Sequence, residues 1–477
     1  MQVTRQITND ITYVGVSDRR LSLFENIFPI PRGVSYNSYI INDEKTALID
    51  AVDYDSSRVF VENVKAALNG KTLDYIVVNH MEPDHAGSLR LICDLYPDAA
   101  LVATKKAVDM MAQFFGDELK NEKIVVKEGD TVSLGKHELS FYTAPMVHWP
   151  EVMVTYESFE KVLFSADAFG TFGALNGNIF NDEYDIDRDW LPDYRRYYTN
   201  ICGKYGMQVQ SLLKKALTLD IQMICPLHGP VWRSNLVYII NKYDLWSKYE
   251  AEGNSVMIAY ASIYGNTENA AYYLANELSK LGVKDIAMYD VSSTDVSYLI
   301  SETFRCSHIV LMSATYNLEI YPKMDDYISD MKRLNVSNKT FAIVDNGTWA
   351  PTAGKKMREA VETLKSCKIC ENTTTVKSAV NGSNAAALAA LAPISAAVSF
   401  VLIWRSFTPT LWVIHSSLVS KNCDRSSFVT TLGGTYMPVP NTRKLIFPLL
   451  LPFLREYEKL FHLPKSVPFF RYFNLVP

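Results

Sequence analysis

At 477 residues, with 48% hydrophobic and 21% charged side chains, the chain has room for two or three globular domains of ordinary composition. A net charge of −5 argues against a charge-driven role on nucleic acid. Seven cysteines scattered along the chain make no disulfide framework, which fits a reducing cytoplasm, and the polar stretch 1–13 lacks the basic start and apolar core of a secretory leader.

Residues 1–252 alternate strand-like apolar runs with helical patterns, the signature of an α/β layered domain. Tyr36–Ile41 and Ala47–Asp50 read as a strand pair turning at Asn42-Asp43-Glu44, and the apolar run Leu73–Val78 reads as a buried strand. Directly after it comes His80-Met81-Glu82-Pro83-Asp84-His85, four metal-ligand types in six residues, with a helix start at Gly87–Ile92. Three further candidates each follow an apolar segment: His148 in Met146-Val147-His148-Trp149-Pro150, Asp167 after Phe164-Ser165-Ala166, and His228 in Cys225-Pro226-Leu227-His228. The polar and aromatic stretch Phe169–Tyr198 reads as a lid over whatever these residues hold.

Glu250–Asn254 is a short polar linker and the expected boundary between domains 1–252 and 253–392. Beyond it, strand and helix patterns alternate as in a doubly wound parallel sheet with ligand loops at the carboxyl ends of its strands. Val256–Ala261 is a strand, Ser262-Ile263-Tyr264-Gly265-Asn266-Thr267 a hydroxyl-rich loop, and a helical pattern begins near Glu268. Such a loop at a helix start cradles phosphate, and without a Lys or a dinucleotide spacing it suits a monophosphate. Two later strand ends, Ser313-Ala314-Thr315-Tyr316-Asn317 and Asn346-Gly347-Thr348-Trp349-Ala350, supply aromatic rings and backbone polar groups for a planar ring system. Cys367-Lys368-Ile369-Cys370 has no second CxxC nearby and no strand-to-helix junction before it, so it reads as an ordinary structural segment. The tail 393–477 is rich in Phe, Pro, Leu and Ser, shows no sustained period, and reads as an atypical extension, artefactual or disordered, with a membrane anchor as the rival.

Four histidines and three acidic residues, each placed after an apolar run, are better explained by a metal site than by structure alone. The pattern resembles the metallo-β-lactamase superfamily, whose usual HxHxDH is here HxExDH, with Glu82 in place of the second His. An added carboxylate makes the site harder and moves its preference from zinc toward iron or manganese. The second half is similar to flavodoxins through its three loops. The two halves together, over roughly residues 1–392, resemble the flavodiiron proteins.

That resemblance implies an N-terminal αββα metallo-β-lactamase-like sandwich followed by a flavodoxin-like doubly wound sheet. It implies two iron ions, one bound by His80, Glu82 and His148, the other by Asp84, His85 and His228, with Asp167 bridging. It implies FMN held by Ser262, Ile263, Tyr264, Gly265, Asn266 and Thr267, by Thr315, Tyr316 and Asn317, and by Asn346, Gly347, Thr348 and Trp349. The expected reaction is reduction of dioxygen to water, nitric oxide to nitrous oxide, or both, with electrons from rubredoxin or another external donor. A head-to-tail homodimer, or a dimer of dimers, is expected to set each FMN beside the partner's metal site. Tyr197 or Tyr198 is a candidate proton donor, with aromatic packing as the alternative for either. Ala314 stands where a Pro is common and Thr348 where a Ser is common, which bears on flavin potential and affinity. Two rival readings remain at this stage: a zinc hydrolase of the metallo-β-lactamase type, and an FMN electron carrier with a vestigial metal site.

Overall fold

The computed structural model describes residues 3–371 and 373–392, together with the backbone of two short strands further on. The chain divides into two compact units, Met1–Leu402 and Ile403–Pro477. Of the second unit, the strands Val429–Leu432 and Thr435–Pro438 pair antiparallel. The expected extension 393–477 otherwise lies outside the described residues.

Two mixed sheets form the first half. One has seven strands, in the order Arg5–Gln6, Ile11–Tyr13, Tyr39–Asn42, Thr46–Ile49, Tyr75–Val78, Ala100–Thr104, Lys123–Val126. The other has five: Thr131–Ser133, Glu138–Thr143, Met153–Glu157, Val162–Phe164, Met223–Cys225. Their facing surfaces are mostly apolar, with Tyr39, Ile49, Val77 and Val102 of the first sheet and Phe141 and Phe164 of the second all buried, and Tyr39 packs on Phe164 at 5.3 Å. Helices Ser57–Leu68 and Lys105–Phe115 pack on the first sheet, and Lys215 of helix Gly206–Ala216 donates to the Thr143 carbonyl of the second at 2.7 Å. The result is the expected αββα sandwich.

Strand direction places the ligand loops. Thr46–Ile49, Tyr75–Val78 and Ala100–Thr104 run parallel, as do Val162–Phe164 and Met223–Cys225. Glu138–Thr143 is antiparallel to Met153–Glu157, itself antiparallel to Val162–Phe164, so it shares the direction of the latter. The carboxyl ends of three strands of the second sheet therefore meet at one edge. The expected hairpin is present with Tyr39–Asn42 against Thr46–Ile49. Its start differs: Tyr36 belongs to Val34–Tyr36, which leaves the sheet to pair with Val16–Asp18.

The third sheet is parallel along Ile286–Asp290, Val256–Ala261, His308–Tyr316, Thr340–Asn346 and Lys368–Ile369. Its strands read as near-continuous apolar runs because both faces are covered. Met257, Ile309, Leu311, Phe341 and Ile343 join one core, whereas Val256, Ile258, Val310, Met312 and Val344 join another with Ala270, Leu274 and Leu278 of helix Asn266–Lys280. This is the period-two alternation of a doubly wound sheet. Cys367 and Cys370 flank the edge strand Lys368–Ile369, fall against different cores, and are both free thiols.

The linker is less free than its composition suggests. Glu252 accepts from Arg195, from Lys242 Nζ at 2.8 Å and from Trp246 Nε1 at 2.9 Å, and its backbone N–H donates to the Arg305 carbonyl at 3.0 Å. Burial pushes its carboxyl up, but Arg195 and Lys242 outweigh burial and hold it down at about 2. Next to Arg195, Arg196 stacks on Phe172 and on Tyr298, 4.5 Å and 4.2 Å to the ring centroids, and donates to Ser297.

Candidate metal centre and ligand cleft

The loop after Tyr75–Val78 folds into a helical turn, Pro83–Ala86, capped by Glu82. Proline suits a first helical position because its fixed φ is helical and its missing N–H would be unpaired there. Asp84 and His85 thus sit inside a turn rather than ahead of the helix that the sequence places at Gly87; the next helix is Leu89–Leu95.

All seven expected ligands converge, in two groups. In the first, His80 Nε2 lies 3.3 Å from Glu82 Oε2, 3.4 Å from His148 Nε2 and 3.4 Å from Asp167 Oδ2. His148 Nε2 lies 2.9 Å from Glu82 Oε2 and 3.0 Å from Asp167 Oδ2. In the second, His85 Nε2 is 3.3 Å from Asp84 Oδ2, 3.1 Å from His228 Nε2 and 3.1 Å from Asp167 Oδ1. His228 Nε2 is 3.2 Å from Asp84 Oδ2 and 3.6 Å from Asp167 Oδ1. Asp167 therefore turns one oxygen to each group.

These separations suit cations between the ligands: donor atoms bound to one ion at ~2.1 Å stand roughly 3.0–3.5 Å apart. Asp84 Oδ1 and Oδ2 and Asp167 Oδ1 are buried with no hydrogen-bond donor, a costly state unless a cation faces them. Without metal, protons hold the cluster together. Burial pushes His80 and His148 down, but Asp167, Glu82 and, for His80, Glu151 outweigh it, leaving His148 at about 9 and His80 well above the usual imidazole range. Burial would raise the Asp167 carboxyl, yet the surrounding imidazoles hold it well below the ordinary value. Four imidazoles and three carboxylates, two imidazoles and one carboxylate to each half with Asp167 shared, fit a pair of iron ions.

Four groups behind the ligands were not singled out by sequence reasoning. His80 Nδ1 is 2.7 Å from Glu151 Oε1, and His228 Nδ1 is 2.7 Å from the Ser35 carbonyl, contacts that point each Nε2 inward. Asp50 accepts from Asn79 N and Nδ2 and from His80 N, at 2.7, 2.8 and 3.3 Å, anchoring the ligand loop. Glu25, at the tip of the hairpin Leu23–Phe24/Phe28–Pro29, turns its carboxyl to Glu82; burial there and the Glu82 charge push it up to about 8.

Aromatic rings close the site. Phe24, Tyr36 and Tyr197 lie edge-on to His228 at 5.5, 6.1 and 5.5 Å, and Trp149 stands 5.4 Å from His80. Phe172 of the expected lid packs on Tyr197 at 5.1 Å. The two candidate tyrosines separate here. Both hydroxyls are buried without a hydrogen-bond partner, but Tyr197 lies on the His228 side, whereas Tyr198 packs among Tyr243 and Trp246 at 4.9 and 5.4 Å.

At the carboxyl edge of the third sheet lies a cavity of about 360 Å³. Ser262, Ile263, Tyr264, Asn266, Thr267, Thr315, Asn317, Asn346, Gly347, Thr348 and Trp349 all line it. Ala314 of the second expected loop lines it too, as do Leu318 and Ser378, which were not expected; Ser378 Oγ donates to Thr348 Oγ1 at 3.0 Å. Gly265 lies behind the lining as the helix cap at φ +85°, where a side chain would be strained. Tyr316 also stands outside the lining, 6.1 Å from Tyr321. Ser262 Oγ is buried without a partner, and the first N–H groups of helix Asn266–Lys280 open the same way, an arrangement that fits a phosphate. Tyr264 and Trp349 are 91% and 80% exposed, far more than such rings usually are, and fit a stacked planar ring.

The chain is similar to known proteins along both of its halves. Residues 34–229 match the ODP family beta lactamase. An uncharacterized protein of Methanocaldococcus jannaschii is 31% identical over 360 residues, 75% of this chain and 89% of that one. The anaerobic nitric oxide reductase flavorubredoxin of Vibrio vulnificus is 32% identical over 352 residues, 73% of this chain and 70% of that one. Among solved structures, rubredoxin oxygen:oxidoreductase of Desulfovibrio gigas superposes with a TM-score of 0.78 at 26% identity, covering 83% of this chain and 98% of that one. The flavodiiron protein of Giardia intestinalis gives 0.77 at 25% identity, covering 83% and 97%.

Proposed function

This chain belongs to the flavodiiron proteins, and on that premise we propose that it reduces dioxygen to water, nitric oxide to nitrous oxide, or both, using electrons from an external rubredoxin. It is an oxidoreductase that carries FMN and a non-haem iron pair. The observation that carries the reading is the split of Asp167, one oxygen toward His80 and His148, the other toward His85 and His228. His80, Glu82 and His148 would hold one iron, Asp84, His85 and His228 the other, with Asp167 spanning both. Bound iron supplies adjacent open positions and one-electron steps, and FMN supplies two-electron storage.

The protein's own groups set the conditions for that chemistry. Glu151 and the Ser35 carbonyl accept from the Nδ1–H groups of His80 and His228, leaving each Nε2 lone pair for metal. Phe24, Tyr36 and Phe172 keep bulk water from the His228 side. Tyr197 Oη, which burial and the Asp167 charge keep protonated, is the group placed to give a hydrogen bond or proton there. In the second cavity Ser262, Asn266 and Thr267 take the FMN phosphate, and Trp349 and Tyr264 cover the ring. We assign the iron site to residues 1–252 and the flavin site to residues 253–392, and place each FMN beside the iron pair of a second copy in a head-to-tail homodimer.

The test is consumption of dioxygen and of nitric oxide by the iron- and FMN-loaded protein with reduced rubredoxin. Asp167→Ala should lose at least ~100-fold of either activity while retaining FMN, because removing one bridging carboxylate disturbs both irons. Unchanged activity in that variant would return the protein to the class of FMN carriers. Stoichiometric zinc in place of iron, with hydrolysis of an ester or amide, would make it a hydrolase.

A further inference from the structure

A second cluster of ligand-type side chains lies at the other edge of the second sheet. His137 precedes the strand Glu138–Thr143, and Glu157 and Glu160 flank the turn from Met153–Glu157 to Val162–Phe164. Each offers a ligand atom, and these atoms all lie within 4.8 Å of one another. The iron ligands His148 and Asp167 follow the opposite ends of these strands. Six residues of strand put about 20 Å between the two places.

His137 and Glu157 are wholly buried. His137 Nδ1 stands 2.9 Å from Glu157 Oε1, yet it has no hydrogen-bond partner: the oxygen lies off the line that an N–H would take. Glu160 Oε2 is buried and unpartnered as well. Two atoms bound to one ion at ~2.1 Å are roughly 3.0 Å apart at a right angle and roughly 3.4 Å apart at a tetrahedral one, so the His137–Glu157 pair needs only a small opening to hold it. The other contacts leave the right lone pairs free. His137 Nε2 is 3.4 Å from Asp10 Oδ2, so the ring proton belongs on Nε2 and the lone pair on Nδ1. Glu157 is held by the N–H groups of Phe159 and Glu160 at 2.6 and 2.8 Å.

Charge points the same way. Glu157, Glu160, Asp10 and Asp43 surround His137, with Asp43 accepting its backbone N–H at 2.8 Å. The cation facing them is Lys136, which pairs with Asp10 and lies over the Phe159 ring at 4.7 Å. We propose that His137, Glu157 and Glu160 bind one divalent cation of the zinc type, with water completing its shell. All three ligands belong to the second sheet, and His137 in turn bonds Asp10 and Asp43 on turns of the first, so the ion would fix the residue that joins the two sheets at the edge away from the iron pair.

The experiment counts metals in the full chain. The FMN-loaded protein with both irons in place is equilibrated with micromolar zinc, freed of excess, and its iron and zinc are measured per chain. Wild type should hold one zinc beside its irons and melt at a higher temperature with zinc than without. Glu160→Gln, on a half-buried turn residue, and His137→Gln should each lose that zinc and the melting shift while keeping iron and FMN. Equal zinc in wild type and Glu160→Gln, no zinc in wild type, or zinc gained only as iron is lost would each overturn the proposal, the last by showing that zinc enters the iron site. Failure of the iron-dependent activity would leave this count unaffected.

Discussion

Asp167 presents one carboxylate oxygen to each half of the metal centre, while the Glu151 carboxylate bonds His80 and the Met81 N–H, so the two should fail differently. Glu151→Gln keeps the shape but weakens the contact that orients His80, and the expected cost is a 10–100-fold drop in metal affinity with FMN binding unchanged, measured by chelator competition. Metal loading should also follow pH. In the metal-free protein Asp167 and Glu82 outweigh burial and hold His148 at about 9, above its usual value, so below that pH an incoming ion must displace a proton. Apparent affinity should fall at least tenfold per pH unit from 8.5 to 6.5, since His80, also held above the usual imidazole range, has a proton to give up as well; a pH-independent affinity would contradict it. The seven ligands were legible because each is a ligand-type residue at the end of an apolar run. Asp50 carries the same signal at the end of Thr46–Ile49, but sequence cannot tell an acid that binds metal from one that accepts N–H groups behind it. Glu151 lay one residue past the quoted His148-Trp149-Pro150, and its role depends on a contact to His80, 71 positions away. Glu25 comes from a hairpin that only tertiary packing brings to Glu82.

Elements were most legible where burial is two-sided. Val256–Ala261 matches its sequence reading residue for residue, and the helix expected near Glu268 starts at Asn266. Readings shifted where local turn chemistry overrode the apolar pattern, as when Pro83 started a helical turn inside the ligand loop and Tyr36 left the hairpin for a different partner strand. The linker shows the same limit from the other side: a five-residue stretch with three polar side chains read as a boundary, yet Glu252 is bound to Arg195, Lys242 and Trp246. With its folded pKa lowered to about 2, Glu252 contributes stability that is fully present above its unfolded value near 4.5 and is lost as pH falls toward 2. Glu252→Gln should therefore cost roughly 3 kcal/mol at pH 7 and progressively less below pH 4, read from denaturant unfolding. A pH-independent difference would mean that packing rather than charge holds the linker.

For the whole molecule, the central question is whether iron and flavin work across two chains. Mixing tests this directly: Asp167→Ala lacks a working iron pair, and Asn266→Glu sets a carboxylate where the phosphate should sit at the helix start. Each variant alone should be inactive, whereas mixed dimers should regain activity, since one chain's FMN then faces the other's iron pair; no recovery would place both cofactors' exchange within one chain. Among the described residues no helix is long and apolar enough to cross a membrane, and the tail beyond 392 was readable only as a change in composition. The most direct test of the account is anaerobic stopped-flow mixing of the fully reduced, iron- and FMN-loaded protein with dioxygen and, separately, with nitric oxide. Rapid flavin reoxidation yielding water or nitrous oxide is the predicted result and would rank the two substrates. Slow reoxidation yielding mainly hydrogen peroxide would contradict it, because the flavin would then be reacting without the metal centre.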